Sequence, residues 1–135
     1  MLFSQDPVIK VLVVDDDALT RLSLKLLLSS EENINVVGLA SNGIEAIDLV
    51  KTHNPDVVIL DLQMPVMNGL IAASAIERIA PQVYIIAYSL IEDPQVEVMS
   101  QTAPIDFFCT KETSNEKLIE LIKQIGQRSL LVGDC

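Results

Sequence analysis

Five short runs of aliphatic and β-branched residues constrain this chain more than any other feature, because four of them end at a polar residue able to do chemistry. Ile9 to Val14 (IKVLVV) ends at Asp15, Asp16 and Asp17, and Val57 to Leu60 (VVIL) ends at Asp61. Val83 to Ala87 (VYIIA) ends near Tyr88-Ser89, and Ile105 to Cys109 (IDFFC) is followed by Thr110-Lys111. The remaining run, Asn35 to Ala40 (NVVGLA), gives way to a Ser41-Asn42-Gly43 turn. Short apolar runs with little polar alternation are the pattern of strands covered on both faces.

Between the runs, apolar residues recur at helical spacing. Leu19, Leu22, Leu24, Leu26, Leu27 and Leu28 follow Asp17, a suitable N-cap. Ile44, Ala46, Ile47 and Val50 lead to a break at Asn54-Pro55, and a helix over roughly 70–79 stops before Pro81. Asp93-Pro94 opens a further helical segment to about Gln101. The last helix presents Leu118, Ile119, Leu121, Ile122 and Ile125 and is capped by Ser114 or Asn115. Strands joined through helices are parallel and covered on both sides, which predicts an α/β fold of five strands and five helices. In such an open sheet, ligand-binding groups collect beyond the carboxyl ends of the strands. Asp15, Asp16, Asp61, Ser89 and Lys111 all fall on that edge.

The length of 135 residues fits one domain. Nine basic against 19 acidic residues give a net charge of −10, which disfavours direct binding of nucleic acid, since that affinity comes mainly from Lys and Arg on phosphates. The start, Met1 to Pro7, lacks the basic and apolar regions of a signal peptide, and no apolar run reaches the ~18–20 residues of a membrane span. A cytoplasmic protein with no membrane contact is expected. Its two cysteines, Cys109 and Cys135, are expected to be reduced, with Cys109 a small buried residue.

If the first and third strands are neighbours, three carboxylates share one pocket, where like charges raise one another's pKa. A hard divalent cation relieves that conflict. Mg²⁺ takes one or two carboxylates and leaves its other positions to water and phosphate oxygens. Lys111 adds a compact positive charge and Ser89 a hydroxyl donor. Such a set can hold a phosphoryl group on Asp61, because a carboxylate can act as nucleophile and form an aspartyl phosphate.

The motifs VLVVDDD (Val11 to Asp17), VVILDLQMPVMNG (Val57 to Gly69) and IIAYS (Ile85 to Ser89), with Lys111, resemble the receiver domains of response regulators (CheY-like) from roughly Ile9 to Gln127. The resemblance implies a flavodoxin-like, doubly wound parallel sheet of order 2-1-3-4-5 with helices on both faces. It implies a phosphorylation-activated switch of a two-component phosphorelay, with Asp61 as phospho-acceptor and Mg²⁺ as cofactor. Asp15, Asp16, Asp61 and the backbone carbonyl of Gln63 would hold the metal. Ser89 and Lys111 would bind phosphoryl oxygens, and Phe108, with Ser89, would switch conformation. The implied partners are a sensor histidine kinase or phosphotransfer protein and a downstream effector, with a homodimer also open. Residues 1–128 would form the receiver and 129–135 a tail or the start of a linker, either of a stand-alone protein or of a transcriptional regulator's receiver portion.

Three departures from the family pattern stand out. Glu112 replaces the proline that often follows the lysine, so no cis peptide is expected there. Ala103-Pro104-Ile105 replaces the usual Gly-Ala before the fifth strand, and apolar Ile91 flanks the phosphate position. Two other functional classes compete with the switch. An aspartate-nucleophile phosphatase would carry a second aspartate where Gln63 stands, so the chain is expected to catalyse only its own phosphorylation and dephosphorylation. A phosphorylation-independent interaction module has no need of the whole acidic set and the lysine.

Overall fold

The alternating direction of side chains along each strand decides how the molecule is layered. In a computed structural model that describes residues 7–64, 67–89 and 104–127, the chain runs β1 (Ile9–Val14), α1 (Ala18–Ser29), β2 (Ile34–Ala40), α2 (Gly43–His53) and β3 (Val57–Leu60). It continues through α3 (Gly69–Ile79), β4 (Tyr84–Ser89), β5 (Phe107–Thr110) and α4 (Asn115–Gln127). The five strands form one parallel sheet of order β2-β1-β3-β4-β5, as the resemblance implied. The helix expected over 93–101 lies outside the described residues, as do Ile91 and the 129–135 tail.

Successive strand residues point to opposite faces, so each strand serves two cores. Val11, Val13, Val57, Ile59, Ile86, Phe107 and Cys109 pack with Leu24 and Leu28 of α1 and with Leu118, Leu121, Ile122 and Ile125 of α4. Leu12, Val14, Val58, Leu60, Ile85 and Ala87 face the other way, onto Ala46 and Val50 of α2 and Ala72, Ala73 and Ile76 of α3. Covering both faces explains why the central strands read as unbroken apolar runs.

Polar side chains set the helix starts. Asp17, Asn42 and Asn68 accept from the backbone N–H groups of Thr20, Glu45 and Ile71 at 2.9–3.0 Å, relieving donors with no partner inside the first turn. Ser114, rather than Asn115, caps α4, accepting weakly from Lys117 N at 3.3 Å. Asn54 ends α2 in the left-handed region at φ 46°, which Asn tolerates better than most residues.

Several details differ from the sequence reading. Only Leu24 and Leu28 of α1 are fully buried, while Leu19, Leu22 and Leu26 are 70%, 50% and 65% exposed. The helix therefore carries more leucine than its core stripe requires. Cys109 is buried as expected but is disulfide-bonded, which corrects its reading as a reduced thiol. No described peptide bond is cis, in keeping with Glu112 after Lys111.

β5 begins two residues later than expected because Asp106 serves as a bracket. Its N–H donates to Ile85 O at 2.9 Å while its carboxylate accepts from Ile85 N at 2.8 Å. Asp56 does the same to Lys10 at the entrance of β3. In each case the carboxylate stands in for a strand carbonyl on the neighbouring strand. Replacing Asp106 by Ala strands the Ile85 N–H, and urea unfolding is expected to show a loss of roughly 1–3 kcal/mol. Asn, which keeps an oxygen in place, is expected to recover most of it.

Candidate functional site

Strand register brings the polar residues together. Val14 pairs with Leu60 across β1 and β3, and Asp61 N donates to Val14 O at 2.9 Å. Asp15 and Asp61 therefore leave adjacent strands at the same level. On the other side, Ser89 pairs with Thr110, and Lys111 N donates to Ser89 O at 2.8 Å, so Ser89 and Lys111 leave β4 and β5 together. The strand order reverses between β1 and β3, the position where open α/β sheets bind ligands.

One carboxylate oxygen from each of Asp15, Asp16 and Asp61 lies within 4.8 Å of the others. Asp15 and Asp61 are buried and Asp16 is exposed, so the cluster has two fixed walls and one open side. Lys111 Nζ reaches Asp15 Oδ2 at 2.9 Å and Asp61 Oδ2 at 3.8 Å. Asp15 Oδ2 faces this ammonium, while Oδ1 accepts from Asp17 N at 2.9 Å. Ser89 Oγ is fully buried and has no hydrogen-bond partner among the described residues. A buried hydroxyl in that state carries a cost that an incoming acceptor would remove.

Burial raises the Asp61 carboxyl from 3.8 to about 7, helped by the Asp15 charge and opposed by the Gln63 N–H and Lys111. The Gln63 N–H donates to Asp61 Oδ1 at 3.0 Å. Burial alone would lower the Lys111 ammonium, but its bond to Asp15 and the Asp61 charge outweigh that and hold it above its ordinary value. One lysine thus leaves three carboxylates under-compensated. Oxygen donors in excess of positive charge, open on one side, fit a hard divalent cation such as Mg²⁺.

Asp15, Asp16, Asp61 and Lys111 come together here, and Ser89 lies next to Lys111 at the ends of β4 and β5. Phe108 is half-buried beside Ala87 in the β4–β5 register and packs against the core on the α2–α3 side. Its neighbour Phe107 enters the opposite core. Gln63 is exposed, with its N–H committed to Asp61. Two contributors escaped the sequence reading. Arg21 Nη1 donates to the Asp15 carbonyl at 2.6 Å; its signal is a basic residue one helical turn beyond Asp17. Gly69 enters the sequence analysis only as the last residue of the Val57–Gly69 motif. A Cβ there would stand 2.5 Å from Leu62 Cα and closer still to the Asp61 carbonyl oxygen, so only glycine lets α3 start against the Asp61 loop.

Fold and pocket define an α/β domain with an acidic, cation-ready site where its strand order reverses. The family model for the response regulator receiver domain matches residues 11–123, and the chain belongs to that family. It is a receiver domain of the two-component response regulators. A protein-glutamate methylesterase/protein-glutamine glutaminase of Methanococcoides burtonii is 34% identical over 87% of this chain and 34% of its own length. Response regulator GacA of Pseudomonas aeruginosa is 33% identical over 89% of this chain and 57% of its own. Among solved structures, the response regulator domain of Thermotoga maritima CheB superposes with a TM-score of 0.78 at 30% identity, covering 89% of this chain and 97% of that one. The chain spans about a third of the length of the methylesterase relatives it matches. No described helix is long and apolar enough to cross a membrane.

The raised Asp61 pKa makes stability depend on pH. A carboxyl that rises from 3.8 in the unfolded chain to about 7 when folded contributes stability below pH 3.8, which is lost as pH climbs through 7. Without metal, Asp61→Asn is therefore expected to be more stable than the parent by roughly 1–3 kcal/mol at pH 8. The gap should close toward pH 5 in parallel urea titrations.

Proposed function

We propose that this receiver accepts a phosphoryl group on Asp61 from the phosphohistidine of a sensor histidine kinase or phosphotransfer protein, with Mg²⁺ bound by Asp15, Asp16, Asp61 and the Gln63 carbonyl. The observation that carries this reading is the three-carboxylate cluster on one edge with Lys111 and a buried Ser89 hydroxyl that has no partner among the described residues. The cation, when bound, supplies positive charge for the oxygens of the transferring group.

The residues do the rest. Asp61 attacks phosphorus with one carboxylate oxygen, the P–N bond to the donor imidazole breaks, and the released nitrogen keeps the electron pair. Buried Asp61 is held by the Gln63 N–H so that one oxygen is oriented and the other faces Lys111. Lys111 shifts from Asp15 and Asp61 to a phosphoryl oxygen, and Ser89 donates its unused hydroxyl to another. Those contacts draw the ends of β4 and β5 toward the phosphate. A switch needs two states that differ in partner affinity. Phe108, half-buried beside Ala87, is the side chain proposed to move between them, carrying the signal to an effector.

On this reading the chain catalyses only its own phosphorylation and dephosphorylation, acts in the cytoplasm without binding membrane or nucleic acid itself, and forms residues 1–128 of a signalling protein. Residues 129–135 would be a tail or the beginning of a linker, and homodimer formation is compatible with the same scheme. Because the matched relatives are longer, an attached effector domain, enzymatic or DNA-binding, is equally compatible with it.

Intact mass after incubation with acetyl phosphate tests the reading. A gain of one phosphoryl group is expected with Mg²⁺, with at least tenfold less without it and none in Asp61→Asn. No gain under any condition would leave a phosphorylation-independent interaction module.

A further inference from the structure

The carboxylate pocket depends on how the short loop between β1 and α1 is held. Asp15 N donates to Ala40 O at 3.0 Å, and Asp15 Oδ1 accepts from Asp17 N at 2.9 Å. The carbonyl of Asp15 lies past the end of β1, and its hydrogen bond comes from Arg21 Nη1 at 2.6 Å rather than from a strand. That carbonyl belongs to the planar peptide joining Asp15 to Asp16. Holding its oxygen fixes the plane, and the plane sets the direction in which both carboxylates leave the backbone. Asp16 is exposed, so it lacks the enclosing walls that hold Asp15 and Asp61.

Arg21 is tied to this loop twice. Its backbone N–H donates to Asp17 O at 3.1 Å in the first turn of α1, while its side chain folds back to Asp15. Its positive charge also helps to hold the Glu45 carboxyl below its ordinary value, after the two bonds from Ser41. Glu45 itself accepts from Ser41 N and Ser41 Oγ at 2.7 and 2.6 Å. A planar, permanently charged donor suits a single fixed carbonyl better than a flexible ammonium.

We propose that Arg21 is a positioning residue of the cation site: by holding the Asp15–Asp16 peptide, it aims both carboxylates at the metal before the metal arrives. The proposal rests on the reading of this pocket as a Mg²⁺ site. It makes a prediction whose sign separates it from simple electrostatics. Arg21 is a cation near a cation site, so removing its charge alone would strengthen Mg²⁺ binding. Loss of positioning would weaken it.

The test is a Mg²⁺ titration of the full chain, followed by the amide NMR signals of Asp15, Asp16, Asp17 and Asp61, for the parent, Arg21→Met and Arg21→Lys. Tm without metal is recorded for each to establish folding. The expected result is a Kd for Mg²⁺ raised roughly tenfold in Arg21→Met, with Arg21→Lys in between. Phosphorylation by acetyl phosphate should return to near the parental rate at saturating Mg²⁺. If Arg21→Met does not fold, Arg21→Gln is read by the same criterion. A folded variant that binds Mg²⁺ as tightly as the parent, or more tightly, overturns the proposal and leaves the Mg²⁺ reading intact. A parent that binds no Mg²⁺ overturns both.

Discussion

Three carboxylates forced to one point by the register of two neighbouring strands are the constraint on which the rest of this structure depends. Val14 opposite Leu60 puts Asp15 and Asp61 at one level, and both are buried. Without a cation the cluster is relieved by Lys111 and by the tendency of Asp61 to keep a proton near neutral pH. On the proposed reading that cost is what a metal ion and a phosphoryl group would relieve, together with a buried Ser89 hydroxyl that has no partner among the described residues.

The rest of the fold holds that tension in place. Parallel strands covered on both faces give the loops rigid anchors, and helix caps hold the loop ends close to the sheet. Gly69 lets α3 begin against the Asp61 loop, and the brackets of Asp56 and Asp106 keep the entrances of β3 and β5 in register at the opposite edge. The apolar packing thus sits in two cores on either side of the sheet, apart from the charged pocket. This separation suits a domain that recurs in proteins as different as a methylesterase and the regulator GacA; the scaffold is shared, and function lies in the site and in what is attached to it.

Much of this was legible in the sequence because the signals were local. An apolar run followed at once by Asp61, or an Asp17 immediately before a helical leucine pattern, carries its structural meaning within a few residues. The same holds for Asn54-Pro55. What was not legible depended on contacts distant along the chain or on the face a helix turns inward. Asp106 falls inside the Ile105–Cys109 run expected as β5, and only its pairing with Ile85, 21 residues back, places it ahead of the strand. The leucines of α1 offered two overlapping stripes, and only the sheet decided that Leu24 and Leu28 go in while Leu19, Leu22 and Leu26 stay out. Arg21 was one basic residue in an apolar helix, and its bond to the Asp15 carbonyl follows from side-chain direction, which spacing alone does not give. The disulfide state of Cys109 also had no local signal.

The protonation of Asp61 tests the central claim most directly. Carbon-13 NMR of the aspartate carboxyl groups, followed from pH 3 to 9 and assigned with Asp61→Asn, reads it without recourse to activity. The account predicts that without metal Asp61 titrates near 7, far above an ordinary aspartate, and that saturating Mg²⁺ returns its titration to the acidic range. An Asp61 that titrates near 4 without metal, or one that Mg²⁺ does not shift, would contradict it.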